Sequence, residues 1–167
     1  MTVRRLAVVL ATGFGIGYLP IAPATWASAG TAVCLLALLP ILDWVGLLAA
    51  IAVVTPIAIW AAGEAERDLG HDARPIVIDE VAGMLVAVCG VPMAGSGFPR
   101  LAMLLLLAFA LFRVFDIWKP FPVGRSQALP GGFGIVVDDL LAGIYTNITL
   151  HIAVWVLPLG TDSGPLP

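Results

Sequence analysis

The sequence predicts an all-α membrane protein: a compact, multi-pass bundle of four or five membrane helices that forms a single domain over residues 1–167. The composition is 60% hydrophobic and only 11% charged, with a mean hydropathy of +1.05, which is far from the profile of a soluble domain. Uncharged windows of about 20 residues, the length that crosses a bilayer as a helix, recur along the chain. The net charge of −3 and the absence of a basic tail exclude nucleic acid as a partner.

The predicted membrane helices cover residues 27–42, 44–63, 81–93, 101–115 and 140–157. The first two form a hairpin around the short connection "LPILDW", and the next two form a second hairpin around "AGSGFPR". Residues 81–93 are too few to cross a hydrocarbon core of about 30 Å comfortably. This segment is therefore either a full crossing or a buried or re-entrant helix.

The positions of lysine and arginine predict the orientation of the bundle. With two hairpins, the N-terminus and the loops 64–80 and 113–139 lie on one side of the membrane. That side holds seven of the eight basic residues, and only Arg100 lies opposite. The seven are Arg4, Arg5, Arg67, Arg74, Arg113, Lys119 and Arg125. The positive-inside rule places these loops in the cytoplasm.

Two acidic pairs stand just before apolar helices on this same side. Asp79 and Glu80 precede one helix, and Asp138 and Asp139 open the last one. One such pair is typical of a solvated helix cap, but two pairs in low-dielectric surroundings repel each other unless a cation intervenes. Because no histidine or cysteine cluster accompanies the carboxylates, the expected cation is Mg²⁺, with Mn²⁺ possible.

A basic cluster follows the fourth predicted helix in "FRVFDIWKPFP". Arg113, Asp116 and Lys119 are three residues apart, so they share roughly one face of a helix that Pro120 then ends. Two cations that flank an acid suit a phosphate held beside a metal-binding carboxylate. The alternative is a positive-inside membrane anchor with an internal ion pair.

The loop "GFGIGYLPIAPATWASAG", residues 13–30, is uncharged and rich in glycine and proline. One interpretation is a backbone cradle in which Thr25 and Ser28 donate hydrogen bonds to an anion near the start of the first membrane helix. The other is a flexible connector with a helix cap. On the last helix, Asp139, Gly143 and Asn147 form a stripe that we expect to face the bundle.

Four blocks of sequence together resemble the phosphatidylglycerophosphatase A family: "PIAPATWAS", "HDARPIVIDEVAGM", "FRVFDIWKPFP" and "GGFGIVVDDLLAG". The resemblance runs from about residue 12 to residue 145 and keeps the order of the blocks. It implies a Mg²⁺-dependent phosphatase of the bacterial inner membrane, with its active site at the cytoplasmic helix ends. The implied reaction hydrolyses phosphatidylglycerophosphate, an anionic phospholipid in the bilayer, to phosphatidylglycerol and inorganic phosphate.

The resemblance also implies roles for individual residues. The expected catalytic residues are Asp79, Glu80, Asp116 and Asp139, and the expected metal ligands are Asp79, Glu80 and Asp138. Thr25, Ser28, Asp72, Arg113 and Lys119 are expected to bind the substrate. The chain departs from the family at Ala24 and Ala27, where glycine is usual.

Two other functions compete with hydrolysis. A transporter of divalent cations or phosphate needs ionisable residues near the middle of the bilayer or inverted repeats, whereas these charges cluster at helix ends. A phosphotransferase that joins an alcohol to a nucleotide-activated lipid needs a multi-aspartate motif that the chain lacks. For hydrolysis, a water nucleophile and a covalent aspartyl-phosphate are both open, and the absence of a recognisable nucleophile loop favours water.

Overall fold

The computed structural model describes residues 2–70, 72–93 and 96–156, and in this part of the chain the regular structure is all helical. The elements in chain order are α1 (Val3–Ala11), a 3₁₀ turn (Ile16–Tyr18), α2 (Pro23–Leu38), α3 (Trp44–Leu69), α4 (Ile78–Val88), α5 (Phe98–Trp118), α6 (Val123–Ser126) and α7 (Gly132–Val156). The all-α prediction is confirmed. Residues 157–167 lie outside the described residues, and the single domain over 1–167 stays a prediction.

Within the described residues, three helices are long and apolar enough to cross a membrane: α3 with 26 residues, α5 with 21 and α7 with 25. The apolar helix α2 has 16 residues and is therefore about 24 Å long. These four helices overlap four of the predicted segments, which confirms a helical membrane bundle, although α2 begins and ends four residues earlier than predicted. The helix α3 continues to Leu69, beyond the predicted end at residue 63. The prediction ended at the first charged residue, but the charged segment that follows is also helical.

The last helix corrects one prediction. It begins at Gly132, eight residues before the predicted start, so Asp138 and Asp139 lie in its second turn and do not open it. The apolar residues 133–137 continue the helix toward its N-terminus, and Gly132 packs directly against the Ile59 carbonyl of α3, where a Cβ would have no room. The predicted end at residue 157 lies outside the described residues.

The short helix α4 lies inside the bundle. Its 11 residues span about 16 Å, roughly half of what a bilayer crossing requires. It packs mainly against α7 and also against α3, α2 and α5. Of the two interpretations of residues 81–93, the structure favours a buried helix.

The C-terminal end of α4 receives hydrogen bonds from a neighbouring helix. The side-chain Nδ2 of Asn147, on α7, donates to the carbonyls of Val86 and Ala87 at 3.2 Å and of Cys89 at 2.7 Å. The last carbonyls of a helix have no partner within it, and leaving them unpaired in an apolar bundle costs free energy. Asn147 therefore lets α4 end inside the bundle, and the predicted inward orientation of its stripe is confirmed.

A close helix contact inside the bundle joins α4 to α7 through two glycines. A Cβ at Gly83 would lie 2.6 Å from the Phe112 ring and 2.7 Å from the Asp139 carbonyl oxygen. A Cβ at Gly143 would collide with the carbonyl oxygen of Gly83. Both positions must stay without a side chain for the two backbones to touch.

The charged residues named here lie at helix ends, and these helix ends form two opposite ends of the bundle. Ion pairs join Arg4 near the start of α1 to Asp68 near the end of α3, and Glu80 in the first turn of α4 to Arg113 near the end of α5. We call this end, where α1, α2, α4 and α7 begin and α3 and α5 finish, the charged end. Arg100 lies in the first turn of α5, at the far end. The predicted grouping of the loops on one side is confirmed.

The α4–α7 contact predicts the effect of adding one methyl group. We expect Gly83→Ala to lower the Tm of the detergent-solubilised protein, with a loss of about 1–3 kcal/mol, because the Phe112 ring and the α7 backbone must both move. The matched control is Gly30→Ala in α2, where a Cβ meets nothing within 4 Å. That control is expected to be neutral or to gain up to about 1 kcal/mol from helix propensity. Equal Tm values for the two variants would contradict the close packing.

Candidate active site

A cavity of about 290 Å³ opens at the charged end and collects residues from all four sequence blocks. It is lined by the start of α2, the α3–α4 loop, the first turn of α4, the end of α5 and the second turn of α7. The ionisable residues in its wall are Asp72, Arg74, Asp79, Glu80, Asp116, Lys119, Asp138 and Asp139. Segments more than a hundred residues apart in the chain thus form one polar site in an apolar bundle.

A buried hydrogen-bond network holds three helices together at one side of the cavity. The Nη1 of Arg113 lies 2.7 and 2.8 Å from the two carboxylate oxygens of Glu80, and 3.0 Å from Asp116. The Ser28 hydroxyl of α2 lies 2.6 Å from Glu80 Oε2. Burial raises the pKa of Glu80 to about 7, although Arg113 acts in the opposite direction. Glu80 is therefore engaged by a cation and a hydroxyl from two other helices.

Three carboxylates on α5 and α7 converge next to this network. One oxygen from each of Asp116, Asp138 and Asp139 lies within 4.8 Å of the other two. Asp138 Oδ1 and Asp139 Oδ2 are buried and have no hydrogen-bond partner in the described part of the chain. Buried carboxylate oxygens without donors are costly unless a cation meets them. Their number, spacing and hard oxygen chemistry fit Mg²⁺ or Mn²⁺.

Lys119 supplies positive charge to the same group of acids. Its Nζ lies 2.6 Å from Asp138 Oδ2 and 3.9 Å from Asp116 Oδ1. Burial is the largest single effect and disfavours the charged form of Lys119. The hydrogen bond to Asp138 and the negative charges of the neighbouring aspartates together outweigh it, so the pKa of Lys119 is raised and the ammonium stays charged. One lysine cannot neutralise three carboxylates.

Asp79 lies across the cavity in the first turn of α4. Its Oδ1 accepts a hydrogen bond from the backbone N–H of Glu80 at 3.1 Å. Burial, and then the charge of Glu80, raise the pKa of Asp79 well above its ordinary value. Asp79 is therefore a carboxyl whose proton is held more tightly than that of an exposed aspartate.

Three non-glycine residues in the cavity wall have left-handed backbone conformations. Ala22, Asp72 and Lys119 each have φ of 47°. This region is unfavourable for residues with a Cβ, and such conformations persist only where the surroundings enforce them. Ala22 is also the residue before α2, whose first turn, including Ala24, faces the cavity. A helix N-terminus favours an anion at this position.

The structure brings most of the predicted site residues together. Nearly all of them line the cavity or contact a residue that does; these are Ser28, Asp72, Asp79, Glu80, Arg113, Asp116, Lys119, Asp138 and Asp139. Thr25 lies in the first turn of α2, half-buried, but is not part of the cavity wall. The predicted metal set of Asp79, Glu80 and Asp138 differs from the observed group, in which Asp138 lies with Asp116 and Asp139.

Arg74 lines the cavity, although the sequence predicted for it only a contribution to membrane orientation. Its Nη2 donates a hydrogen bond to the Pro20 carbonyl at 2.7 Å, which ties the α3–α4 loop to the segment before α2. Its place two residues after Asp72, in the block "HDARP", is the signal that could have identified it.

Comparison with known proteins identifies the family. The sequence profile described as phosphatidylglycerophosphatase A matches residues 9–154. A protein named "Putative phosphatidylinositol-3-phosphatase" from Bacteroides thetaiotaomicron is 36% identical over 156 residues, covering 91% of this chain and 96% of that protein.

Two proteins named phosphatidylglycerophosphatase A are also similar. The one from Haemophilus influenzae is 36% identical over 89% of this chain and 90% of its own length, and the one from Escherichia coli is 30% identical over 91% and 86%. No solved structure matches the chain. The family match supports the enzyme interpretation and gives no support to the transporter alternative. The chain, with its acidic cavity at the ends of apolar helices, belongs to the phosphatidylglycerophosphatase A family.

Proposed function

We propose that the protein hydrolyses the terminal phosphomonoester of phosphatidylglycerophosphate, which gives phosphatidylglycerol and inorganic phosphate. Membership of the family and the names of two relatives support this reaction. The observation that carries the proposal is the acidic cavity at the charged end, where a lipid headgroup can enter while its acyl chains remain beside the apolar helices.

The charge balance of the cavity supports a requirement for a divalent cation. Its wall contains six carboxylates and two bases, with Arg113 as a third base in contact with it. The phosphate monoester adds further negative charge, which this cavity would repel unless a cation accompanied it. Asp116, Asp138 and Asp139 would hold Mg²⁺, since they provide three converging oxygens and two of their buried atoms have no other partner. The bound ion would supply Lewis-acid stabilisation of charge on the phosphoryl oxygens.

The chain's own residues divide the remaining tasks. Lys119 and Arg74 neutralise phosphate charge, and the first turn of α2 offers its backbone N–H groups to a phosphate oxygen. Arg113 is committed to Glu80 and Asp116, so its task is to fix these carboxylates and to contribute positive potential from behind them. Glu80 serves as the anchor for Arg113, which differs from its expected role as a metal ligand.

The reaction needs one water and one proton transfer. The water oxygen forms a bond to phosphorus while the bond from phosphorus to the glycerol oxygen breaks, and the glycerol oxygen takes up a proton. Asp79 lines the cavity, and its raised pKa suits a carboxyl that exchanges a proton with the water or the leaving oxygen.

The family assignment leaves a choice between headgroups. One relative is named for a phosphatidylinositol phosphate and two are named for phosphatidylglycerophosphate. Both substrates are phosphomonoesters on a glycerophospholipid, and the cavity residues described above recognise that common group.

The proposed function is tested by release of inorganic phosphate from defined lipids. Purified protein in detergent is expected to hydrolyse phosphatidylglycerophosphate in Mg²⁺ with a kcat/KM at least about tenfold above that for phosphatidylinositol 3-phosphate or phosphatidic acid. Excess EDTA is expected to abolish turnover, and added Mg²⁺ is expected to restore it. Full activity in EDTA would exclude the metal, and a preference for phosphatidylinositol 3-phosphate would replace the proposed substrate.

The metal ligands are tested by binding, independently of turnover. We expect Asp138→Asn and Asp139→Asn each to weaken Mn²⁺ binding by about tenfold or more, because an amide lacks the charge that attracts the ion. The measurement is the electron paramagnetic resonance signal of free Mn²⁺ during titration of the purified protein. Asp43→Asn is the control, since Asp43 caps α3 at the far end with a 2.7 Å hydrogen bond from Gly46 and asparagine also caps helices well. Unchanged Mn²⁺ affinity in the folded variants would exclude this ligand set.

We also propose that the protein lies in the bacterial inner membrane with its charged end in the cytoplasm, as the positions of seven of its eight basic residues favour. In a background without Cys34 and Cys89, Ala128→Cys at the charged end is expected to react with a membrane-impermeant maleimide only from the cytoplasmic side. Ile41→Cys at the far end is expected to react only from the opposite side. Both positions are exposed. The reverse pattern would contradict the orientation.

A further inference from the structure

An apolar groove of about 240 Å³ runs along the outer surface of the bundle between α2 and α5. Its wall includes Ala29, Ala32 and Val33 of α2 and Ala102, Leu106 and Phe109 of α5. The three alanines leave space between the helices, while Val33 and Leu106 are each 67% exposed on the rims. All the side chains that form the groove are hydrocarbon in character.

The groove and the cavity lie one after the other along the same two helices. On α2, Ala24 lines the cavity, Ser28 is one turn further along, and Ala32, one more turn along, lines the groove. On α5, Phe109 lies in the groove and Arg113 follows one turn later, before the cavity residue Asp116. Residues four apart lie on the same face of a helix.

Ser28 and Arg113 form the boundary between cavity and groove. Arg113 Nη1 lies 3.5 Å from the Ser28 hydroxyl, and both side chains contact Glu80 in the cavity wall. The polarity therefore changes abruptly within one helical turn, or about 5.4 Å. This profile matches a glycerophospholipid, whose phosphate and acyl chain are separated by a short glycerol ester.

We propose that the α2–α5 groove binds the first part of one acyl chain of the lipid substrate and so sets the depth at which its phosphomonoester enters the cavity. This inference rests on the proposed function, because it requires a substrate with both a phosphate and a fatty chain. From Ala29 to Leu36 the groove is about 10 Å long, so it holds the part of the chain nearest the ester. The occupant is a fatty acyl chain, since the wall offers apolar surface and no hydrogen-bonding side chain.

Filling the groove without touching the cavity tests the proposal. We expect Ala29→Leu and Ala102→Leu to raise the KM for dioleoyl phosphatidylglycerophosphate by about tenfold, because the leucine occupies the space of the chain. Mn²⁺ affinity is expected to stay unchanged, which shows that the cavity is intact. The matched controls are Ala37→Leu in α2 and Ala110→Leu in α5, both exposed and outside the groove. Unchanged KM in the groove variants, or the same increase in the controls, would overturn the proposal.

A photoreactive lipid provides a measurement that does not depend on turnover. Phosphatidylglycerophosphate with a diazirine in its acyl chain is expected to label residues 29–36 and 102–109, and Ala29→Leu is expected to reduce this labelling severalfold. Diazirine-tailed phosphatidylcholine, which has no phosphomonoester, is expected to label these residues much less. Equal labelling by both lipids would mean that the groove is an ordinary lipid-facing surface and would overturn the proposal.

The two proposals fail in different ways. If the wild-type protein releases no phosphate from any lipid tested, the proposed function is wrong, whereas selective labelling by the phosphomonoester lipid would still identify a chain-binding groove. If phosphate release is normal and labelling is unselective, the proposed function holds and the groove assignment is wrong.

Discussion

The ion pair between Glu80 and Arg113 is the contact on which the arrangement of the charged end depends. Removing two charges from water costs several kcal/mol per ion, and only good geometry with additional hydrogen bonds compensates for it. Arg113 reaches both Glu80 oxygens, and Ser28 donates to one of them. Three helices must therefore keep fixed relative positions, since a shift of α2, α4 or α5 would leave a buried charge without its partner.

The close contact of α4 and α7 determines where the acids meet. Gly83 and Gly143 allow the two backbones to touch, and Asp139 is the residue whose carbonyl packs against Gly83. Because α7 packs tightly against α4 next to Asp139, the acidic pair of α7 lies beside Asp116 of α5 and across from Asp79. The close packing at these two glycines therefore positions the acidic side chains of the cavity.

The same cavity concentrates features that are unfavourable for folding. Two carboxylate oxygens are buried without partners, and three wall residues with a Cβ adopt left-handed conformations that cost on the order of 1 kcal/mol each or more. The rest of the bundle, with its apolar helices and its Asn147 bonds to the end of α4, provides the stability that tolerates them. A cation bound by the acids would relieve part of the repulsion, so ligand binding and stability are expected to be coupled at this site.

Hydropathy and charge are properties of local composition, so they were enough to predict the all-α class, four of the apolar segments and the grouping of basic residues at one end. The four sequence blocks were also sufficient to identify the family. Helix boundaries were less predictable: α7 extends to Gly132 because that glycine packs on the Ile59 carbonyl, a contact 73 positions away in the chain.

The pairing of the charges followed from the way in which the helices pack. Spacing along α5 placed Arg113, Asp116 and Lys119 on one face, but it could not show that Arg113 is bound to Glu80 or that Lys119 is bound to Asp138. Nor could it show that α4 ends inside the bundle. These outcomes depend on how closely separate helices approach, and this distance is set by small residues and by the need to pair every buried charge, neither of which is encoded in a local pattern.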